Sequence, residues 1–193
     1  MEATNAIAKF VSQTTYDDLP SKVVGKAKIN LVDWLGSAIR ASREPSVILL
    51  EEALGINKKK DATIIMRKEK TSCLDASLLN GAMGHTLETD DLHPASVIHP
   101  AAPVMPAALS VSEMMKAEGR DLILAVVLGY EVEIRVAEAG MPSHYEFWHN
   151  TATCGTFGAT VAAGSILRLN AQEMANALGT AAAQAAGLVI SFG

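Results

Sequence analysis

Residues 155–167 read GTFGATVAAGSIL, and residues 177–188 read ALGTAAAQAAGL. Neither stretch carries a charge, and both repeat glycine and alanine at helical spacing. Small side chains let helix axes approach closely, so both segments are expected as helices in the centre of a bundle. The first is expected over Thr151–Leu167 and the second over Ala171–Ile190. Asn170 and Glu173 stand three residues apart at the start of the second, where they suit a capping box. The glycines follow no predicted strand, so they form no dinucleotide fingerprint, and no P-loop, GxSxG or HExxH pattern is present.

Outward from these segments the helical period recurs. Thr4 or Asn5 can cap a first helix running to about Thr14. Val24, Ala27, Leu31, Leu35, Ala38 and Ile39 keep one apolar face over Ser21–Ala41, after Pro20. EPSVILLEEALGI (44–56) reads as another helix starting at Glu44 or Pro45. DATIIM (61–66) is the one stretch that resembles a strand. Helix resumes from Leu74 to about Thr89. Pro94, Pro100 and Pro103 then interrupt DDLHPASVIHPAAP (90–103), because each restricts the residue before it. Met105–Glu118 is expected as helix with Gly119 as its stop, followed by Arg120–Ala139 and a break at GMPS (140–143). HYEFWHN (144–150) reads as a loop. The expectation is an all-α, multi-helix bundle of seven or eight helices forming one domain over residues 1–193.

Composition agrees. Hydrophobic residues make up 49 % of the 193 residues and aromatics only 5 %, which favours packed helices over a β-sandwich. A net charge of −5 offers nothing to offset phosphate repulsion, so nucleic acid is not an expected partner. The basic run Lys58-Lys59-Lys60 is short, is followed by Asp61, and reads as a solvated loop. LILAVVLGY (122–130) is too short to span a bilayer and is followed by Glu131 and Glu133. MEATNAIAKFVSQ has no long apolar signal core. Cys73 and Cys154 lie far apart and read as free buried thiols. These features together suggest a cytoplasmic protein without a membrane partner.

The chemistry is concentrated in HTLETDDLHPASVIHP (85–100). All five histidines, His85, His93, His99, His144 and His149, fall between residues 85 and 149, in two groups at helix–loop junctions. Such junctions hold side chains over a cleft on rigid supports. Three readings are open. His85, Glu88, Asp90, Asp91, His93 and His99 are metal-ligand types, yet their spacing matches no zinc pattern. They can equally be a solvated turn with a helix histidine. Acid/base chemistry is the third reading. Imidazoles titrate near neutrality, attract a polyanionic substrate, and are oriented by neighbouring carboxylates.

LNGAMGHTLETDDLHPASVIHPAAPVMPAALSVSE (79–113), GYEVEIRVAEA (129–139) and FWHNTATCGTFGATVAAGSILRLNAQEMANALGTAAAQAAGL (147–188) resemble, in order, blocks of the MmgE/PrpD family. That family includes 2-methylcitrate dehydratase and cis-aconitate decarboxylase. The resemblance runs from LPSKVVGKAKINLVDWLGSAI (19–39) to the chain end. It implies an all-α domain and elimination of water, or of carbon dioxide, from a small polycarboxylate such as 2-methylcitrate, with no metal and no cofactor. It implies proton-handling and carboxylate-binding roles for His99 and His149, with Asp90 and Asp91 orienting them. His85, His93 and Glu88 would shape the substrate pocket.

Two departures bear on the reaction. Glu88 stands where the decarboxylases carry an aspartate, and Leu92 stands where they carry a polar residue. Both weaken the decarboxylase reading, since a leucine cannot hydrogen-bond a substrate carboxylate. Family members are more than twice as long and add a lid domain, so the lid and a site lysine are expected to be absent from this chain. The alternatives are an isomerase or epimerase of the same family, or a non-catalytic domain acting only in oligomerisation. A homodimer, and a second chain supplying the lid, are the expected protein partners.

Overall fold

The computed structural model describes residues 2–55 and 59–192. Among these the architecture is all-α apart from one small ribbon, in agreement with the fold class read from the sequence. Of the lysine run, Lys58 lies outside the described residues, while Lys59 and Lys60 are exposed.

Helix α1 (Glu2–Gln13) begins ahead of the anticipated Thr4 or Asn5 cap, with Glu2 placed favourably against the helix dipole. Helix α2 (Ser21–Ala41) has the expected bounds, but its buried face is Ala27, Asn30, Trp34, Ser37, Ala38 and Ala41. Ile39 is exposed instead. The rotation brings the fully buried Trp34 against α4 (Cys73–His85), where Gly84 leaves room for the indole. A Cβ at Gly84 would stand 2.0 Å from Trp34 Nε1. Helix α3 (Pro45–Leu54) starts on Pro45, whose missing N–H costs nothing at the first helical position.

Ala62–Thr63 (β1) pairs antiparallel with Lys70–Thr71 (β2), a strand that sequence periodicity did not reveal. The ribbon is tied to α4 by the buried Asn80. Its amide donates to Thr63 O at 2.9 Å and its oxygen accepts from Ile65 N at 2.9 Å.

Three boundaries differ from expectation for local reasons. Helix α4 ends at His85 rather than near Thr89, because Glu88 takes a left-handed φ of 49° and turns the chain back. Helix α5 spans Ala101–Met115, so it includes two prolines and starts before Met105. Pro103 lies in the first turn, where its N–H would have had no helical partner. Pro106 packs on Gly81 of α4, whose Cβ would stand 3.3 Å from the proline ring. Gly119 opens α6 (Gly119–Gly140) rather than closing α5. The stop is Lys116 in the left-handed region (φ 53°), and Glu118 and Asp121 form a capping box for α6.

The segment expected as one helix over Thr151–Leu167 is two, α7 (Asn150–Thr153) and α8 (Gly155–Ile166), joined through Cys154. Pro103 presses on this joint, 2.5 Å from where a Cβ at Gly155 would be. Helix α8 is central as expected, packed against α5, α6, α9 and α1. Helix α9 (Ala171–Gln184) keeps the Asn170–Glu173 capping box but is peripheral. It packs on α1 and α8 through Met174, Leu178 and Ala181, and most of its small residues face outward. It also stops short of Ile190. Gly187, at φ 136°, redirects the chain so that its carbonyl accepts from His149 N at 3.0 Å. No described helix is long and apolar enough to cross a membrane. Both cysteines are free and buried.

Candidate active site

The loop between α4 and α5 (residues 86–100) brings its two ends together. His85 is the last residue of α4, and His99 lies just before the Pro100 cap of α5. Their rings are 4.9 Å apart, tilted by 60°. Between them is Asp90, whose side chain is 0 % exposed. His85 Nδ1 is 3.1 and 3.2 Å from the two Asp90 oxygens. His99 Nδ1 is 3.5 Å from Asp90 Oδ1, close enough for attraction but without the alignment of a hydrogen bond, so this buried nitrogen has no hydrogen-bond partner among the described residues. The hydrogen bond to Asp90 raises the His85 pKa above its ordinary value against the opposing effect of burial, with Asp90 and Glu88 adding attraction through space.

His149 approaches from the other side. It is the residue before α7, held by its backbone N–H on Gly187 O. His85 and His149 line the same open groove of about 850 Å³ between α4, α5, α7 and α8. Burial lowers the His149 pKa, and through-space interaction with His85 and His99 lowers it further, against attraction from Glu88. Three imidazoles separated by up to 64 positions in the chain thus interact electrostatically, and two of them, His85 and His149, line the groove. Its other walls are mainly apolar, including Leu74, Leu78, Pro103 and Pro106, with the hydroxyls of Ser77 and Thr156 among them.

The remaining sequence-derived candidates lie differently. Asp91 turns away from the imidazoles. Its Oδ1 accepts from Ala101 N at 3.0 Å, in the first turn of α5, and its Oδ2 accepts from Tyr130 Oη at 2.9 Å and Asn30 Nδ2 at 3.2 Å. This carboxylate therefore joins the loop to α2, α5 and α6. Glu88 is exposed and acts on His85 and His149 through space. His93 bonds Ser96 Oγ at 2.8 Å and pairs its backbone with Ile98, within a turn where Val97 takes a left-handed φ of 48°. That torsion is uncommon for a β-branched residue, and the turn is pinned by the buried Ile98 and by Asn150 Nδ2 donating to Ser96 O at 2.7 Å. His144 bonds Thr153 at 2.8 Å and stacks on Trp148, away from the Asp90 cluster. Leu92 is exposed.

Sequence reasoning missed the supports. Thr151 Oγ1 accepts from His99 N at 3.1 Å and so ties α7 to the loop. Tyr130 and Asn30 hold Asp91, and the sequence signal was present: each is a polar residue in phase with the apolar face of a long helix. Glu133 shares that phase. It is fully buried behind Gly155 and Gly158, with no hydrogen-bond partner for either oxygen among the described residues, and burial pushes its pKa well above the usual carboxylate range.

Removing the Tyr130 hydroxyl tests the Asp91 node. Tyr130→Phe is expected to lower stability by about 1.5–3 kcal/mol, as for a hydrogen bond to a charged group. Unchanged thermal unfolding would show that the hydroxyl does not hold the loop.

The MmgE/PrpD N-terminal domain matches residues 5–193. A cis-aconitate decarboxylase of Aspergillus terreus is 30 % identical over 194 residues, covering 96 % of this chain and 40 % of the relative. A cis-aconitate decarboxylase-like protein, oryM, of Aspergillus oryzae is 26 % identical, with 96 % and 41 % covered. The chain thus spans about two-fifths of the length of these curated relatives. With the helical architecture and the family match over nearly every residue, the chain belongs to the MmgE/PrpD family, as its N-terminal domain.

Proposed function

We propose that this domain carries the acid/base imidazoles of a lyase that eliminates water from a small polycarboxylate such as 2-methylcitrate. The observation that carries the reading is His85 and His99 flanking buried Asp90, with His85 and His149 both lining one open groove. Two of the imidazoles are pushed in opposite directions, which separates an acid from a base. His149, kept neutral by its surroundings, removes a proton from the carbon beside a carboxylate. The electron pair forms the double bond as the C–O bond breaks. His85, kept protonated by Asp90, donates its proton to the departing hydroxyl, which leaves as water. His99 binds a substrate carboxylate. The acid and the base are both side chains of this chain, and the proposed steps call on no metal or organic cofactor. The named activity of the Aspergillus terreus relative supports a substrate with several carboxylates, and loss of carbon dioxide is the nearest alternative outcome. We also propose that a protein segment beyond this domain closes the open side of the groove.

Proton NMR of reaction mixtures in deuterated buffer tests the reading. With 2-methylcitrate, citrate and cis-aconitate offered separately, elimination of water gives an internal vinylic signal from citrate and, from 2-methylcitrate, a downfield-shifted methyl singlet on a double-bonded carbon that carries no hydrogen, while loss of carbon dioxide from cis-aconitate gives a terminal methylene. Exchange or inversion at the C–H without loss of mass would mark an isomerase. The expected result is elimination that slows by about 10²–10⁴-fold in His149→Ala. Wild-type turnover in that variant, or neither elimination nor C–H exchange with any of the three compounds, contradicts the proposal.

A further inference from the structure

We infer that His85, Asp90 and His99 also form a binding site for a divalent zinc ion. One potential ligand atom from each of the three residues lies within 4.8 Å of the others. Zinc bonds of about 2.0–2.2 Å to imidazole nitrogen and carboxylate oxygen place tetrahedral ligand atoms about 3.4 Å apart. The Asp90 oxygen is already 3.1 Å from His85 Nδ1 and 3.5 Å from His99 Nδ1, so two of the three edges have the required length.

The chemistry of the donors agrees. Two imidazoles and one carboxylate are a set that zinc accepts, and three protein ligands leave a fourth position for water. His85 opens onto the groove, where that position can be filled. His99 Nδ1 is buried and has no hydrogen-bond partner among the described residues, so a ligand lone pair there displaces no hydrogen bond among them. Asp90 is buried to 0 % exposure on its side chain, which keeps its oxygens fixed for coordination. The supports are rigid on both sides, since His85 ends α4 and His99 is held by Thr151 through its backbone. His93 and His144, bonded to Ser96 and Thr153, lie outside the group.

Zinc binding stands on this geometry alone and is independent of the proposed lyase reading.

The experiment uses untagged, chelator-treated protein and two readouts. Calorimetric titration with zinc chloride is expected to give one ion per chain. Affinity should fall at least tenfold in His99→Ala and in Asp90→Asn and stay unchanged in His93→Ala. Imidazole C–H signals in the wild-type protein provide a readout that no folding defect can confound: those of His85 and His99 should move on adding zinc, and those of His93 and His144 should not. No stoichiometric binding, equal affinity in folded His99→Ala, or zinc shifts centred on His93 or His144 would overturn the site.

Discussion

Asp90→Asn is expected to disable both adjoining imidazoles at once. The carboxylate is the first cause of the raised His85 pKa, and without it burial becomes the leading influence and lowers that pKa. The His85 titration midpoint, followed by NMR, should therefore move down. A neutral imidazole beside a neutral amide gives a weaker anion site, and affinity for tricarballylate, an unreactive tricarboxylate, should drop by about tenfold or more, the loss of one charge-assisted contact. Stability carries a signed pH signature. A histidine whose folded pKa is raised contributes stability that is fully present below its unfolded pKa, about 6.5, and is lost as pH rises through the folded value. The destabilisation of Asp90→Asn relative to wild type should thus be larger near pH 5.5 than near pH 9. An equal cost at both pH values, or an unmoved His85 midpoint, would show that the pair does not share a proton as described.

Gly84→Ala has the largest expected effect on the fold. Its Cβ would stand 2.0 Å from Trp34 Nε1 and 2.8 Å from Trp34 Cδ1, in a rigid, fully buried ring. Either α2 and α4 separate or the indole leaves its position. Overpacking a filled core costs about 1–3 kcal/mol and occasionally more, and this contact belongs at the upper end. For a domain of this size about 3 kcal/mol corresponds to roughly 6–12 °C in Tm. Because Gly84 immediately precedes His85, the same variant should also disturb the Asp90 pair. A Tm within about 1 °C of wild type would mean that the helices part at no cost and that the Trp34–Gly84 contact does not set their spacing.

The fold class and most helices were legible because apolar period and caps act locally. Ser21–Ala41 and the Asn170–Glu173 box needed nothing beyond their own residues. What local reading mistook was decided by contacts far away in sequence. Pro106 is tolerated inside α5 because Gly81 receives its ring. Helix α9 ends early because Gly187 is drawn to the backbone of His149. Small residues in α9 resembled a buried seam, yet composition alone does not say which neighbours are present to cover it.

The site followed the same division. A crowded histidine segment was the signal, and the structure sets the His85 and His99 rings 4.9 Å apart with His149 interacting with both through space. The neighbouring acids Asp90 and Asp91 could not be told apart on the page of sequence. One residue of offset sends Asp90 to the imidazoles and Asp91 to Tyr130, Asn30 and the α5 amide. That distinction depends on the backbone turn at Glu88 and on partners in three helices, none of which a linear pattern contains.

The central claim is that His85, His99 and His149 together form one receptor for a polycarboxylate. Its most direct test is histidine-resolved NMR of the zinc-free protein during titration with tricarballylate. The imidazole signals of all three residues should shift along a single saturable curve while those of His93 and His144 stay in place. Shifts confined to His93 or His144, or no saturable shift at His99 and His149, would contradict the account.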